Sequence, residues 1–135
     1  MREVMLVAVG GSLGALARYG TGLAAGHLFG KGFPWGTLAV NVAGCFAMGL
    51  VMEWILDLES HEVATTILRG QMSFWKQGVA IGFLGGLTTF STFGADTMRQ
   101  VESGNLALGL VNIGANVLLS LAAVWAGMAI MQAVD

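Results

Sequence analysis

The amino-acid sequence predicts an all-α membrane protein with four transmembrane helices, the third of them broken at mid-membrane. Three observations point there. Hydrophobic residues make up 56 % of the 135 positions and charged ones only 10 %, whereas a soluble domain carries roughly 25 % Asp, Glu, Lys and Arg. The few charges are clustered, and the apolar runs between them reach the ~20 residues that a helix needs to cross a bilayer. The third of these runs has a Gly- and Thr-rich stretch at its centre, which is poor helix-forming sequence. So apolar a chain is not intrinsically disordered. Six basic residues against eight acidic ones give a net charge of −2 with no basic stripe, which argues against nucleic acid as a partner.

The spans follow from the charges, taken in order. The first, about 4–28, is interrupted within its apolar part only by Arg18 and His27. The second, about 34–57, contains the uncharged run Trp35 to Met52 and ends at Glu53 and Asp57. A polar stretch holding Glu62, Arg69 and Lys76 precedes the third, about 76–99, which is uncharged from Gln77 to Ala95. The fourth, about 104–132, lies in a run from Ser103 to Val134 without a charged residue. Helix is the default because a lone strand cannot satisfy its backbone in lipid, and the runs lack the alternation of a membrane barrel. Together they predict a single four-span domain over 1–135 with no soluble appendage. Arg18 makes the N-terminus a poor signal peptide, and Cys45, the only cysteine, forms no intrachain disulfide.

Orientation is weakly specified. Arg2, Arg69 and Lys76 fall on one side, and Lys31 and Arg99 on the other, a split of three against two. Membrane proteins normally orient by a Lys/Arg excess in cytoplasmic loops. A chain without that excess can insert both ways round.

Polar residues inside the spans are the candidate functional groups, because they face protein or water rather than lipid. Thr37, Asn41 and Cys45 share one face of the second helix at i, i+4 and i+8, and Asn112, Asn116 and Ser120 repeat that spacing on the fourth. A lone Asn reads first as interhelical glue. Two such stripes without an embedded carboxylate favour a solvated path for a small ion. Arg18 either snorkels to the interface or draws an anion into a vestibule. Glycines at 10, 14, 22, 26 and 30, and again at 78, 82 and 86, read as close helix packing.

The central stretch of the third span is GGLTTFSTFG, residues 85–94. Gly85 and Gly86 are the expected break, and freed carbonyls at mid-membrane are tolerated only where they are buried or line a cavity. Such carbonyls can hold a hard cation, and the hydroxyls of Thr88, Thr89, Ser91 and Thr92 can line a path. Phe90 and Phe93 lie three apart, and their positive ring edges can touch an anion, although core packing is the ordinary role of such a pair. Enzyme signatures fail. Gly10-Gly11-Ser12-Leu13-Gly14 matches a nucleophile elbow but lies in an apolar span without a strand before it. Gly26 to Lys31 is too short for a phosphate loop, and His27, His61 and Cys45 are too scattered for a metal site. The expectation is that the chain is not an enzyme.

GGSLGALARY at 10–19, GTLAVNVAGCFAMG at 36–49, GGLTTFSTFG at 85–94 and LVNIGANVLLSLAAVWAG at 110–127 closely resemble the Fluc/CrcB family of fluoride channels, across all four spans in order. The resemblance implies an antiparallel, dual-topology homodimer in the bacterial plasma or inner membrane, with two pores that let F⁻ leave the cell passively and so relieve fluoride toxicity. It further implies a structural, untransported Na⁺ at the dimer centre on the backbone carbonyls of Gly85 and Thr88. Asn41, Phe90, Phe93, Ser91, Thr92 and Thr37 match the family's pore positions, and Arg18 its vestibule arginine. Many members carry Tyr and then Ser, four apart, where Asn112 and Asn116 complete the expected pore here. The alternative function is a small dual-topology, proton-coupled exporter of cationic compounds, which needs an embedded Glu, and Glu53 lies only near a span end. A third is an assembly subunit without a pore.

Overall fold

The computed structural model describes residues 1–60 and 66–134 and is all-helical over them. His61 and Glu62 lie outside the described residues. Helix α1 covers Arg2–Phe29 and α2 covers Trp35–Ser60. Between them Gly30 takes a positive φ of 76°, a conformation open to a residue without Cβ, and Pro34 then starts α2, its carbonyl accepting from Leu38 N–H at 3.1 Å. The third span is composite. It runs through α3 (Thr66–Ser73), a π-helical segment (Phe74–Leu84), the short α4 (Gly85–Leu87) and α5 (Phe90–Glu102). Helix α6, Leu106–Val134, completes the chain.

A Schellman motif joins α5 to α6: Asn105 N–H donates to Gln100 O at 2.9 Å and Gly104 N–H to Val101 O at 3.0 Å. Gly104 sits at the left-handed position, φ 83°. Four helical stretches are long and apolar enough to cross a membrane: Arg2–Phe29, Trp35–Leu58, Gly70–Glu102 and Leu106–Val134. These match the predicted spans, with the third beginning about two turns earlier because the π segment continues an α-helix already formed. The chain is a multi-pass membrane protein.

Helix α1 packs along the π segment and α4, and α2 along α6. Both contacts are glycine-mediated. A Cβ on Gly10 would strike Gly78 O, one on Gly14 would meet Phe83 O and Leu87 N, and one on Gly86 would sit 3.1 Å from Gly11 Cα. Between α2 and α6, Gly49 faces Val124 and Met128, and Gly127 faces Phe46 and Leu50. In lipid, where apolar burial does not drive helices together, such backbone-to-backbone approach supplies the dispersion that does. The predicted glycine stripe on α1 is used in part: Gly22 lies against Gly36 of α2, whose Cβ would come within 2.8 Å of Gly22 Cα, whereas a Cβ on Gly26 would meet nothing within 4 Å.

Two aromatic clusters frame the bilayer. At one end Trp35 meets Phe29 and Phe33, with ring centroids 5.9 and 4.8 Å apart, and at the other Trp54 meets Trp75 at 5.2 Å. Tryptophans concentrate at membrane interfaces, and the two on α2 are separated by roughly 28 Å of helix, against a hydrocarbon core of about 30 Å. Gly44 and Cys45 lie midway between them. A Cβ on Gly44 would strike the Thr88 methyl, so the irregular residues of the third span sit at mid-membrane.

Candidate functional site

The break lies at Thr88 and Thr89, not at the glycine pair. Gly85 is helical (φ −65°, ψ −35°), while Thr88 (−75°, 155°) and Thr89 (−154°, 115°) are extended. The physical reason is twofold. Gly85 and Gly86 belong to the stretch that lies against α1, with Gly86 directly on the Gly11 backbone. β-Branched Thr favours extended backbone, and its polar groups here find partners outside the helix. Asn41 on α2 supplies them: its Oδ1 accepts from Thr89 N–H at 2.8 Å, and its Nδ2 donates to Thr89 O at 3.2 Å. One side-chain amide thus satisfies both backbone groups of a residue at mid-membrane. Thr89 then caps α5, its Oγ1 accepting from Thr92 N–H at 3.2 Å.

The break frees carbonyls. The N–H that a continuous helix would give to Gly85 O goes from Thr89 to Asn41, and the one due to Thr88 O goes from Thr92 to the Thr89 hydroxyl. Thr88 O instead accepts from the Arg18 guanidinium at 3.4 Å, which brings that charge to the break. Gly85 lies at the surface of the chain.

Two open clefts meet at Thr89. One, of about 350 Å³, is lined by Asn41, Cys45, Phe90, Phe93, Asn116 and Ser120 among others. The other, of about 420 Å³, has Arg18, Tyr19, Thr37 and Thr92 in its walls. Phe93 is buried and Phe90 is 81 % exposed, their ring centroids 5.3 Å apart. The first cleft is therefore open on the side where Phe90 faces out.

The expected site residues divide between these clefts. Asn41, Phe90, Phe93 and Asn116 come together in the first. Thr37 does not join them although it shares a helix face with Asn41: its hydroxyl donates to Asp96 Oδ2 at 2.7 Å, and Asp96 also meets Arg99 at 3.6 Å. The Asp96 side chain is mostly buried, so the third span does carry a carboxylate, a feature missed because Asp96 reads as a span end. Ser91 and Thr92 are exposed at the start of α5, where the hydroxyls of both approach that of Thr89, at 3.3 and 3.0 Å. Asn112 is fully buried against α5 and lines neither cleft. It donates to Thr97 Oγ1 at 2.8 Å, and Thr97 donates to Phe93 O at 2.8 Å. Thr97 escaped the sequence reading, although its place four residues beyond Phe93 is the spacing of a hydroxyl bonded back to its own helix. Lys31 and Arg99 share a third cleft, of about 510 Å³, at the Trp35 end.

A family profile described as "CrcB-like protein, Camphor Resistance (CrcB)" matches residues 5–128. Among curated relatives, a protein of Rhizobium etli named "Fluoride-specific ion channel FluC" is 44 % identical over 133 residues, 98 % of this chain and 98 % of its own length. Proteins of the same name from Geobacter metallireducens and Dehalococcoides mccartyi are 44 % and 41 % identical, over 95 % and 94 % of this chain and 95 % and 90 % of theirs.

Proposed function

Since this chain belongs to the CrcB family, we propose that it is a passive, fluoride-selective channel that relieves fluoride toxicity by letting F⁻ leave the cell. The observation that carries this reading is the cleft at the break, where amide N–H groups of Asn41, the Ser120 hydroxyl and the Phe90 and Phe93 rings converge beside Arg18 on a four-span chain. The relatives' shared name supports it. The Ser120 hydroxyl, the Phe rings and Arg18 each offer a donor or a positive edge to an anion, and an Asn41 N–H does so by exchanging its bond to Thr89 O or Asn116 Oδ1. Arg18 raises the local anion concentration, and the ion then sheds water into a site of fixed donors. No step requires bond making, so the function is conduction and not catalysis.

The open side of the cleft at Phe90 supports a second copy as its cover. The near-even split of basic residues supports insertion in both orientations, hence an antiparallel homodimer. A Na⁺ ion would be held by backbone oxygen at the break, the freed carbonyl of Gly85 and that of Thr88, because a hard monovalent cation suits neutral oxygen. Thr88 O also accepts from Arg18 at 3.4 Å, a contact that Na⁺ would have to displace, and when bound the ion would supply a fixed positive charge between the copies. Replacing Na⁺ throughout by a large organic cation should weaken fluoride flux and loosen the dimer on size-exclusion chromatography. Unchanged behaviour under rigorous Na⁺ removal would count against this role of Gly85 and Thr88.

Purified protein in liposomes should dissipate a fluoride gradient, read with a fluoride electrode, and leave chloride nearly unmoved. Proton-coupled uptake of an organic cation without fluoride flux would overturn the channel assignment. The exporter is disfavoured because Glu53 adjoins Trp54 and accepts from Gln132 Nε2 at 2.8 Å, which leaves it at the membrane end, and because Asp96, the buried carboxylate of the third span, is tied to the Thr37 hydroxyl at 2.7 Å and to Arg99 at 3.6 Å.

A further inference from the structure

We propose that Thr97 and Asn112, neither of which lines the anion cleft, are positioning residues that set which way the cleft's amides point and so give it its selectivity for small anions. The inference rests on the channel reading above. Its basis is a directed chain of hydrogen bonds linking α2, α6 and α5. Asn41 Nδ2 donates to Asn116 Oδ1 at 2.9 Å, Asn116 Nδ2 to Asn112 Oδ1 at 2.9 Å, and Asn112 Nδ2 to Thr97 Oγ1 at 2.8 Å. Thr97 passes its own proton to Phe93 O at 2.8 Å. Asn112 is 0 % exposed, Asn116 4 % and Thr97 7 %, so water does not substitute for these partners.

Each end of the chain admits one direction only. A hydroxyl has one proton, and Thr97 has committed it to Phe93 O, so toward Asn112 it can only accept. Asn112 must therefore present its NH₂ to Thr97 and its carbonyl to Asn116. Asn116 in turn gives its NH₂ to both oxygens of Asn112, the side-chain Oδ1 at 2.9 Å and the backbone O at 3.1 Å, and its carbonyl to Asn41. At the far end Thr89 N–H can only donate, which requires the Asn41 carbonyl to face it, as it does at 2.8 Å. The two constraints agree, and reversing any amide would set two carbonyls or two NH₂ groups against each other. Buried mismatches of that kind are costly.

The consequence for an anion is specific. Asn41 is left with its NH₂ at the cleft, both N–H groups held by oxygen acceptors, Thr89 O and Asn116 Oδ1. An anion binds there by taking the place of one oxygen in a chain whose other members cannot turn. Fluoride is close to an oxygen acceptor in size and is a stronger acceptor. Chloride is larger than the oxygen it would replace and must also push the neighbouring amides apart. With the Asn112 side chain free to turn, Asn116 Nδ2 is held by the Asn112 backbone O alone, and the restriction at the Asn41–Asn116 link weakens.

The test uses the full-length protein in liposomes, with fluoride and chloride efflux measured side by side and dimer integrity read by size-exclusion chromatography. Thr97→Val keeps the side-chain shape and deletes the hydroxyl. It should lower the fluoride-over-chloride flux ratio by roughly tenfold or more, the worth of about one hydrogen bond, while Thr97→Ser keeps the wild-type ratio. If Thr97→Val is not recovered folded, the double variant Thr97→Val/Asn112→Leu replaces both partners of the Thr97–Asn112 bond by apolar groups, which buried sites tolerate, leaves Asn116 Nδ2 the Asn112 backbone O as its acceptor, and should show the same loss. A wild-type ratio in a folded hydroxyl-less variant overturns the proposal. So does an equal loss in Thr97→Ser, which would make the methyl group and its packing responsible. A wild-type protein that moves no fluoride would instead refute the channel assignment itself.

Discussion

Asn41→Ala should reduce fluoride flux by about a hundredfold or more, equivalent to ~3 kcal/mol in the barrier, and should destabilise the protein in detergent as well. Both effects have one origin. The Asn41 amide meets both Thr89 N–H and Thr89 O, and it also supplies the donor for Asn116 Oδ1. Thr89 is 7 % and Asn116 4 % exposed, so alanine leaves buried polar groups unpaired at mid-membrane. Each such group costs about 1–3 kcal/mol, and a total of about 2–5 kcal/mol is expected in a chemical or thermal unfolding measurement. Wild-type conduction by Asn41→Ala would remove this amide from the ion path. A wild-type unfolding midpoint would mean that the break is held by something else.

Gly14→Val should prevent assembly of the chain, whereas Gly26→Ala should leave it intact. The two glycines belong to one stripe in the sequence, yet their surroundings differ. A Cβ on Gly14 would meet Phe83 O and come within 2.8 Å of Leu87 N, both backbone atoms that cannot rotate away. The helices must then separate, at about 3 kcal/mol or more for a contact this tight, and with them goes the approach that positions α4 and the break. A Cβ on Gly26 meets nothing within 4 Å. There alanine has the helix-propensity advantage over glycine of about 0.5–1 kcal/mol. The yield of monodisperse protein and its thermal midpoint separate the cases. A stable, fully active Gly14→Val protein would show that α1 and the third span do not need to touch at the backbone.

Much of the architecture was legible because the bilayer is a strict solvent. A chain with 10 % charged residues has few places to end a span, so the spacing of Glu53, Lys76, Asp96 and Arg99 defined the helices to within a turn or two. The irregularity of the third span was legible too, since three glycines and four hydroxyl residues in the ten positions 85–94 are poor helix formers. Its position was not. Propensity pointed to Gly85 and Gly86, but a helix opens where its polar groups find other partners, and Asn41, 48 residues away from Thr89 in sequence, provides them at Thr89.

The candidate site divides in the same way. Residue type and helical spacing singled out Asn41, Asn116, Phe90 and Phe93, which do meet in one cleft. Spacing alone also grouped Thr37 with Asn41 and Asn112 with Asn116, because positions four apart share a face of any helix. What each member of such a face touches depends on the partner helix opposite it. Across from Thr37 lies Asp96, and across from Asn112 lies Thr97. By itself, then, the sequence determined the solvent, the number of spans and the polar residues that lipid would not tolerate. Only the tertiary structure decided where the third span opens, which amides face the cleft and in which direction they point, because a hydrogen-bond partner on another helix leaves no periodicity in the chain that needs it.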